Sequence, residues 1–264
     1  MTMIYAAIRS VFAFFLFIGR KARKTRLFFL ISGLPVVAAL IIQATRLFTA
    51  GSTVDGPAVF TVILMAFNLQ FLILVLSLFY GTSICSEEVE GKTLTYLTTR
   101  PLPKPAIILG KYAASALFLI LMVAASVIAA FVILHIDQLF DAAAWLAMLR
   151  GLGVLALGLA CYLAFFTMIG TFLKKSILFG LFFCFGWESV VQYFPGTTQK
   201  FTIMHYLKSL LPAVSLGGEK LSFLVFRLEP SSAAASITTL LVLMAVFLAL
   251  AGLIFSRKEY LFDD

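Results

Sequence analysis

The sequence predicts an all-α, polytopic membrane protein with six transmembrane helices, an N-terminal interfacial helix and an external helical segment between the fifth and sixth spans. Three observations carry that prediction. Apolar residues make up 62% of the 264 residues and charged residues 12%, far from the roughly 25% charged content of soluble domains, and the mean hydropathy is +1.08. The apolar residues gather in runs of about 20, the length at which a rise of about 1.5 Å per residue covers a hydrocarbon core of roughly 30 Å. Lys and Arg divide fourteen to six between the side that would hold both termini and the side opposite, which places both termini in the cytoplasm by the positive-inside rule. The same division accounts for the net charge of +8 without nucleic acid as a partner.

Residues 1–26 are apolar at first but hold Arg9, and the uninterrupted part, 11–19, is short for a span. Arg20, Lys21, Arg23, Lys24 and Arg26 follow the apolar stretch, whereas a signal peptide carries its charge ahead of it. An uncleaved helix in the cytoplasmic interface is expected, with a seventh span and an external N-terminus as the alternative. The spans are predicted at 27–47, 59–80, 112–134, 152–173, 177–193 and 233–255. The first external link is turn-rich, with Gly51, Ser52, Asp55, Gly56 and Pro57, and 135–150 is expected as a second short link. Residues 194–232 mix Pro195, Gly196, Pro212, Gly217, Gly218 and Pro230 with the apolar pieces 207–211 and 221–226, a composition that suits a cap of short helices outside the membrane. No internal repeat or separate soluble domain interrupts what is expected to be one transmembrane domain, 1–264.

The long charged, proline-bearing interruption is 86–111. Glu87, Glu88 and Glu90 come first, then a helix-compatible run over 92–99, then Arg100, Pro101, Pro103 and Pro105, then Gly110 and Lys111. Gly91-Lys92-Thr93 matches the tail of a phosphate-binding loop. The leading glycine is missing, because residue 86 is serine, and three carboxylates would repel phosphate. A mechanical role suits the segment better: Gly91 permits a bend, Leu94 and Leu97 share a helical face with Glu90, and Pro101 stops the helix. A plain solvated connection is the simpler alternative, although it needs only about 2 to 8 residues and no apolar face.

In this order, Glu88 and Glu90, then Thr93, Leu94 and Leu97 as T-L-x-x-L, then Arg100-Pro101, then Gly110-Lys111, the segment resembles the signature of ABC transporter permeases of the type-2 exporter class. The layout of N-terminal interfacial helix, six spans and external segment resembles that family too, and Lys104 and Pro105 depart from its usual pattern. The resemblance implies a coupling helix docked on a separate ABC ATPase subunit. The contact set is expected to be Glu87, Glu88, Glu90, Gly91, Lys92, Thr93, Leu94, Leu97, Arg100 and Pro101, with Lys174 and Lys175 on the same side. It also implies a second permease subunit, identical or not, a bacterial cytoplasmic membrane, and ATP with Mg on the partner and no cofactor on this chain.

Glu188, in the run FGWESVVQY, is the only acid well inside a predicted span, and intramembrane carboxylates are costly enough to be functional candidates. Alternatively the fifth segment is re-entrant and sets Glu188 at the outer interface beside Trp187 and Tyr193, which suit an aromatic belt. Asn68, Gln70 and Gln43 lie in or near the first two spans, where amides more often tie helices than touch substrate. Asn68, Gln70, Glu188 and Gln192 are the polar residues a translocation pathway would use. Cys85, Cys161 and Cys184 lack paired spacing, His135 and His205 are isolated, and no G-x-S-x-G or H-E-x-x-H motif occurs.

These features point to the membrane subunit of an ATP-driven exporter, with no catalytic residue of its own. The competing class is an ion- or proton-coupled secondary transporter using Glu188, although the repeated halves common in such proteins are not evident. An intramembrane enzyme is a third reading with less support. The 28 phenylalanines suit a lipid-like cargo and suit contact with membrane lipid equally.

Overall fold

A computed structural model describes residues 23–48, 56–90, 104–136, 141–173, 175–191, 197–211 and 231–257, with Tyr5, Arg9, Phe12 and Ala13 as isolated helical positions ahead of them. Among the described residues there is no strand. The helices are α1 (Arg23–Phe48), α2 (Gly56–Val62), a π-helical stretch (Ile63–Leu72), α3 (Ile73–Glu90), α4 (Lys104–Leu134) and α5 (Ala142–Phe172). They are followed by α6 (Ser176–Phe182), a second π-helical stretch (Phe183–Glu188), α7 (Ser189–Val191), a 3-10 turn (Thr197–Phe201), α8 (Ile203–Leu210) and α9 (Ala233–Arg257).

Among the described residues five stretches are long and apolar enough to cross a bilayer: Phe28–Phe48, Phe67–Ile84, Pro105–Leu134, Ala142–Phe172 and Ala233–Arg257. A further apolar helix among the described residues, Ser176–Val191, is shorter. At about 1.5 Å per residue its length comes to about 24 Å, less than a hydrocarbon core of roughly 30 Å.

Several boundaries differ from those read in the sequence, each for a local reason. The link expected at 135–150 is helical from Ala142, because Asp141 caps α5 with its carboxylate, which accepts from the Ala143 N–H at 2.9 Å. Helix α4 begins at Lys104 rather than at 112, since Pro105 sits in the first turn, where a missing N–H breaks no helical bond. Residues 23–26 belong to α1, and α3 continues beyond 80 to Glu90.

Helix α5 is the centre of the bundle. It packs most extensively on α3, then on α9, and also meets α4, α6 and α8. Its Tyr162, Leu163, Ala164 and Phe166 are fully buried. Glycines bring α3 and α5 close: a Cβ on Gly81 would lie 2.6 Å from Phe166 Cβ, and one on Gly170 3.0 Å from the Thr82 carbonyl oxygen. Such close approach matters in a membrane, where lipid tails are as apolar as leucine and packing and hydrogen bonds hold helices together.

Spans consecutive in the chain run in alternating directions, so that α3 and α9 lie parallel to α5: Ser77, Gly81 and Thr82 of α3 meet Leu159, Phe166 and Gly170 of α5 in step. Phe28, near the start of α1, packs against the tilted rings of Phe79 and Tyr80 of α3, with centroids 5.4 Å apart in each pair, and Pro105 of α4 meets Gly252 of α9. At the other end Phe60 lies 5.4 Å from Phe131, and Phe131 lies 4.9 Å from Trp145. The end of α3, the start of α4 and the end of α9 therefore share one end of the bundle. The outward faces carry Leu30, Leu47, Leu121, Phe182 and Val242, a surface suited to acyl chains.

Candidate functional site

Most of the described residues singled out by sequence fall at two places. The first is the bundle end between α3 and α4. Glu87, Glu88 and Glu90 occupy the last turns of α3. Gly91, Lys92, Thr93, Leu94, Leu97, Arg100 and Pro101 lie outside the described residues, as does the expected helix over 92–99. Lys174 also lies outside them, whereas Lys175 is exposed immediately before α6. The chain re-enters the bundle firmly. Ala106, Ile107 and Ile108 are buried, and Ile108 packs with Ala251 and Phe255 of α9 and with Met168 of α5.

The second place is built around Glu188, which is 1% exposed. It lies on a stripe with Ser176, Gly180 and Cys184, four residues apart and all buried. Four α-helical residues overshoot a full turn by about 40°. The wider π turn at Phe183–Glu188 takes back part of that drift, so Glu188 stays on the inward face. Phe182, Phe185 and Trp187 point outward and are exposed.

One carboxylate oxygen of Glu188, Oε1, accepts the Tyr162 hydroxyl at 2.8 Å and the Ile203 N–H at 3.1 Å. The other, Oε2, is buried and has no hydrogen-bond partner. Ile203 is the first residue of α8, and the Thr202 side chain, which accepts from the His205 N–H, caps that helix. Glu188 thus ties the short apolar helix to α5 and α8 at once, with its carboxyl group at a helix N-terminus, where negative charge is favoured. Leu207 of α8 fills the space beside Gly158 of α5. His205 Nε2 lies 3.1 Å from Ser231 Oγ, just ahead of α9. Burial pushes the Lys208 ammonium on α8 down to about 8, against the opposing pull of the Glu188 charge.

Of the other pathway candidates, neither Asn68 nor Gln70 is bonded to Glu188, whose bonded partners are Tyr162 and Ile203. Asn68 is buried in the first π-helical stretch with Oδ1 unpartnered, Gln70 is half-buried, and Gln192 lies outside the described residues. Cys161 and Cys184 are buried free thiols. Among the described residues no group of three or more His, Cys, Asp or Glu could hold a metal. Sequence reasoning passed over Tyr162, although a tyrosine within a span carries a hydroxyl that must find a partner. Lys111 stands out in the sequence only as part of the Gly110-Lys111 pair.

A bundle of long apolar helices whose consecutive spans alternate in direction, with a polar segment between two of them at one end, defines a helical integral membrane protein. The family model of the ABC-2 family transporter protein matches residues 20–187, so the chain belongs to the ABC-2 transporter family, whose members are permease-type membrane proteins of ABC transporters. That match takes in α1 to α6 and the segment between α3 and α4, and ends one residue before Glu188. No curated protein matches the chain.

Proposed function

We propose that this chain is the membrane-spanning permease subunit of an ATP-driven ABC exporter, coupling ATP hydrolysis on a separate ATPase subunit to translocation of a substrate across a bacterial cytoplasmic membrane. Both termini and the 86–111 segment face the cytoplasm, the predicted span 177–193 completes a set of six, and a second permease subunit completes the pathway. ATP and Mg stay on the partner, and this chain's work is mechanical: displacement of the segment shifts the permease between inward-open and outward-open states.

The observation that carries this reading is family membership over a region that contains the T-L-x-x-L and Arg100-Pro101 segment, between two helices packed into the bundle. Leu94 and Leu97 are the anchors. Burying a leucine is worth roughly 1.5–3 kcal/mol, whereas an exposed ion pair contributes about 0–1 kcal/mol. Changing both leucines to serine is expected to leave the chain inserted but to lose the ATPase on co-purification and to abolish coupled ATP hydrolysis. Full ATPase binding by the double variant would reduce the segment to a connection. The secondary-transporter alternative draws less support, because Glu188 holds α5 and α8 rather than standing beside Asn68 or Gln70.

A further inference from the structure

We infer that Lys111 is a positioning residue that ties α4 to α3 across the base of the 86–111 segment, so that both helices move as one unit when the segment is displaced. This rests on the coupling role proposed above. Lys111 is 7% exposed, and its ammonium donates to the Ile84 carbonyl oxygen at 2.9 Å. The contact joins residues 27 apart in sequence, one from the third turn of α4 and one six residues before the end of α3.

A buried ammonium is tolerated only where its protons are satisfied, and a charge-assisted hydrogen bond is about twice as strong as a neutral one. A methionine would fill the same volume with no desolvation to offset. The lysine is therefore explained by its donors, and one of them is spent on the neighbouring helix.

The surroundings turn this contact into a junction. Tyr112, the next residue, donates from its hydroxyl to the Ala160 carbonyl of α5 at 2.9 Å. Opposite, Gly170 of α5 abuts Thr82 of α3. Helix α4 is anchored independently by Ile108 on α9 and by Tyr112 on α5, so the bundle does not depend on Lys111 to assemble. Loss of Lys111 frees the end of α3 from α4 while both remain inserted.

The test uses the full-length chain in lipid nanodiscs, as Lys111→Met and Lys111→Arg, with Tyr112→Phe for comparison. Amide hydrogen exchange over 84–90 is expected to quicken roughly tenfold or more in Lys111→Met, the factor a hydrogen bond to a charged group corresponds to. It should remain near the wild-type rate in Lys111→Arg and Tyr112→Phe. If Lys111→Met fails to insert, Lys111→Gln replaces it, since its amide falls short of Ile84, and the same faster exchange is expected.

In the complex with the ATPase, spin labels at the exposed Phe79 of α3 and Leu121 of α4 should keep one separation with and without a non-hydrolysable ATP analogue in wild type and Lys111→Arg. In Lys111→Met the separation should change with nucleotide. Wild-type exchange at 84–90 together with a nucleotide-independent separation in Lys111→Met would overturn the inference, as would an equal effect of the arginine variant. Failure of the wild-type chain to bind any ATPase would sink the exporter reading, and the exchange measurement would still decide the tie.

Discussion

Glu188 shows how one side chain can organise three segments. Its Oε1 holds the Tyr162 hydroxyl and the Ile203 N–H, so the two replacements available to it should behave differently. Glu188→Ala leaves two buried donors unsatisfied at about 1–3 kcal/mol each. A clear drop in thermal midpoint in detergent and faster exchange over Ile203–Leu210 are expected. Glu188→Gln keeps an acceptor and gives up the charge at the N-terminus of α8, worth about 0.3–2 kcal/mol. It should retain most of the stability and, where Glu188 acts as a clamp, ATP-driven transport as well. A stable Glu188→Gln variant that transports nothing would return the carboxylate to the pathway. That an acid lies inside an apolar run was legible in the sequence. Which groups it binds was not, because Tyr162 and Ile203 come from segments 26 and 15 residues away.

Among elements, the seam between α3 and α5 sets the tolerance to substitution. A Cβ on Gly81 would meet Phe166 Cβ at 2.6 Å and the Leu163 carbonyl oxygen at 3.1 Å, atoms that cannot swing aside. Gly81→Ala should therefore destabilise by about 1–3 kcal/mol. Gly153, on the same α5, has nothing within 4 Å. Gly153→Ala should be neutral or stabilise by up to about 1 kcal/mol through helix propensity. Thermal midpoints of the two variants in one detergent compare them directly, and equal values would mean that the seam is loose. The four-residue stripe Ser176, Gly180, Cys184 and Glu188 is likewise visible in the sequence, yet only packing identifies it as the inward face, with Gly180 against Leu78 and Phe166. The neighbouring Phe182 and Phe185 are more hydrophobic and face outward, the reverse of a soluble helix.

Over the whole molecule the prediction is one of sidedness. Lys175 and Asp141 are both exposed, at opposite ends of α5 and its flanks. In a Cys85→Ser background, with Cys161 and Cys184 buried, Lys175→Cys should react with an impermeant maleimide only from the cytoplasmic face of sealed vesicles and Asp141→Cys only from the other. The reverse pattern would put the 86–111 segment outside and end the exporter reading.

Hydropathy and charge by themselves determined that the chain is helical and membrane-embedded, roughly where its long helices run, and which segment stands apart as polar, because each of these depends on local composition averaged over about 20 residues. They erred where one local interaction overrides that average. Asp141 starts α5 ten residues ahead of the apolar run, and Pro105 lets α4 begin before its own. Only the tertiary structure decided that α5 is the centre, that Glu188 closes on Tyr162 and α8, and that Lys111 reaches Ile84. Those outcomes depend on which faces of separate helices meet. In a chain whose helices are apolar nearly all round, hydrophobicity cannot choose the face, and glycine clearance and buried hydrogen bonds choose it instead.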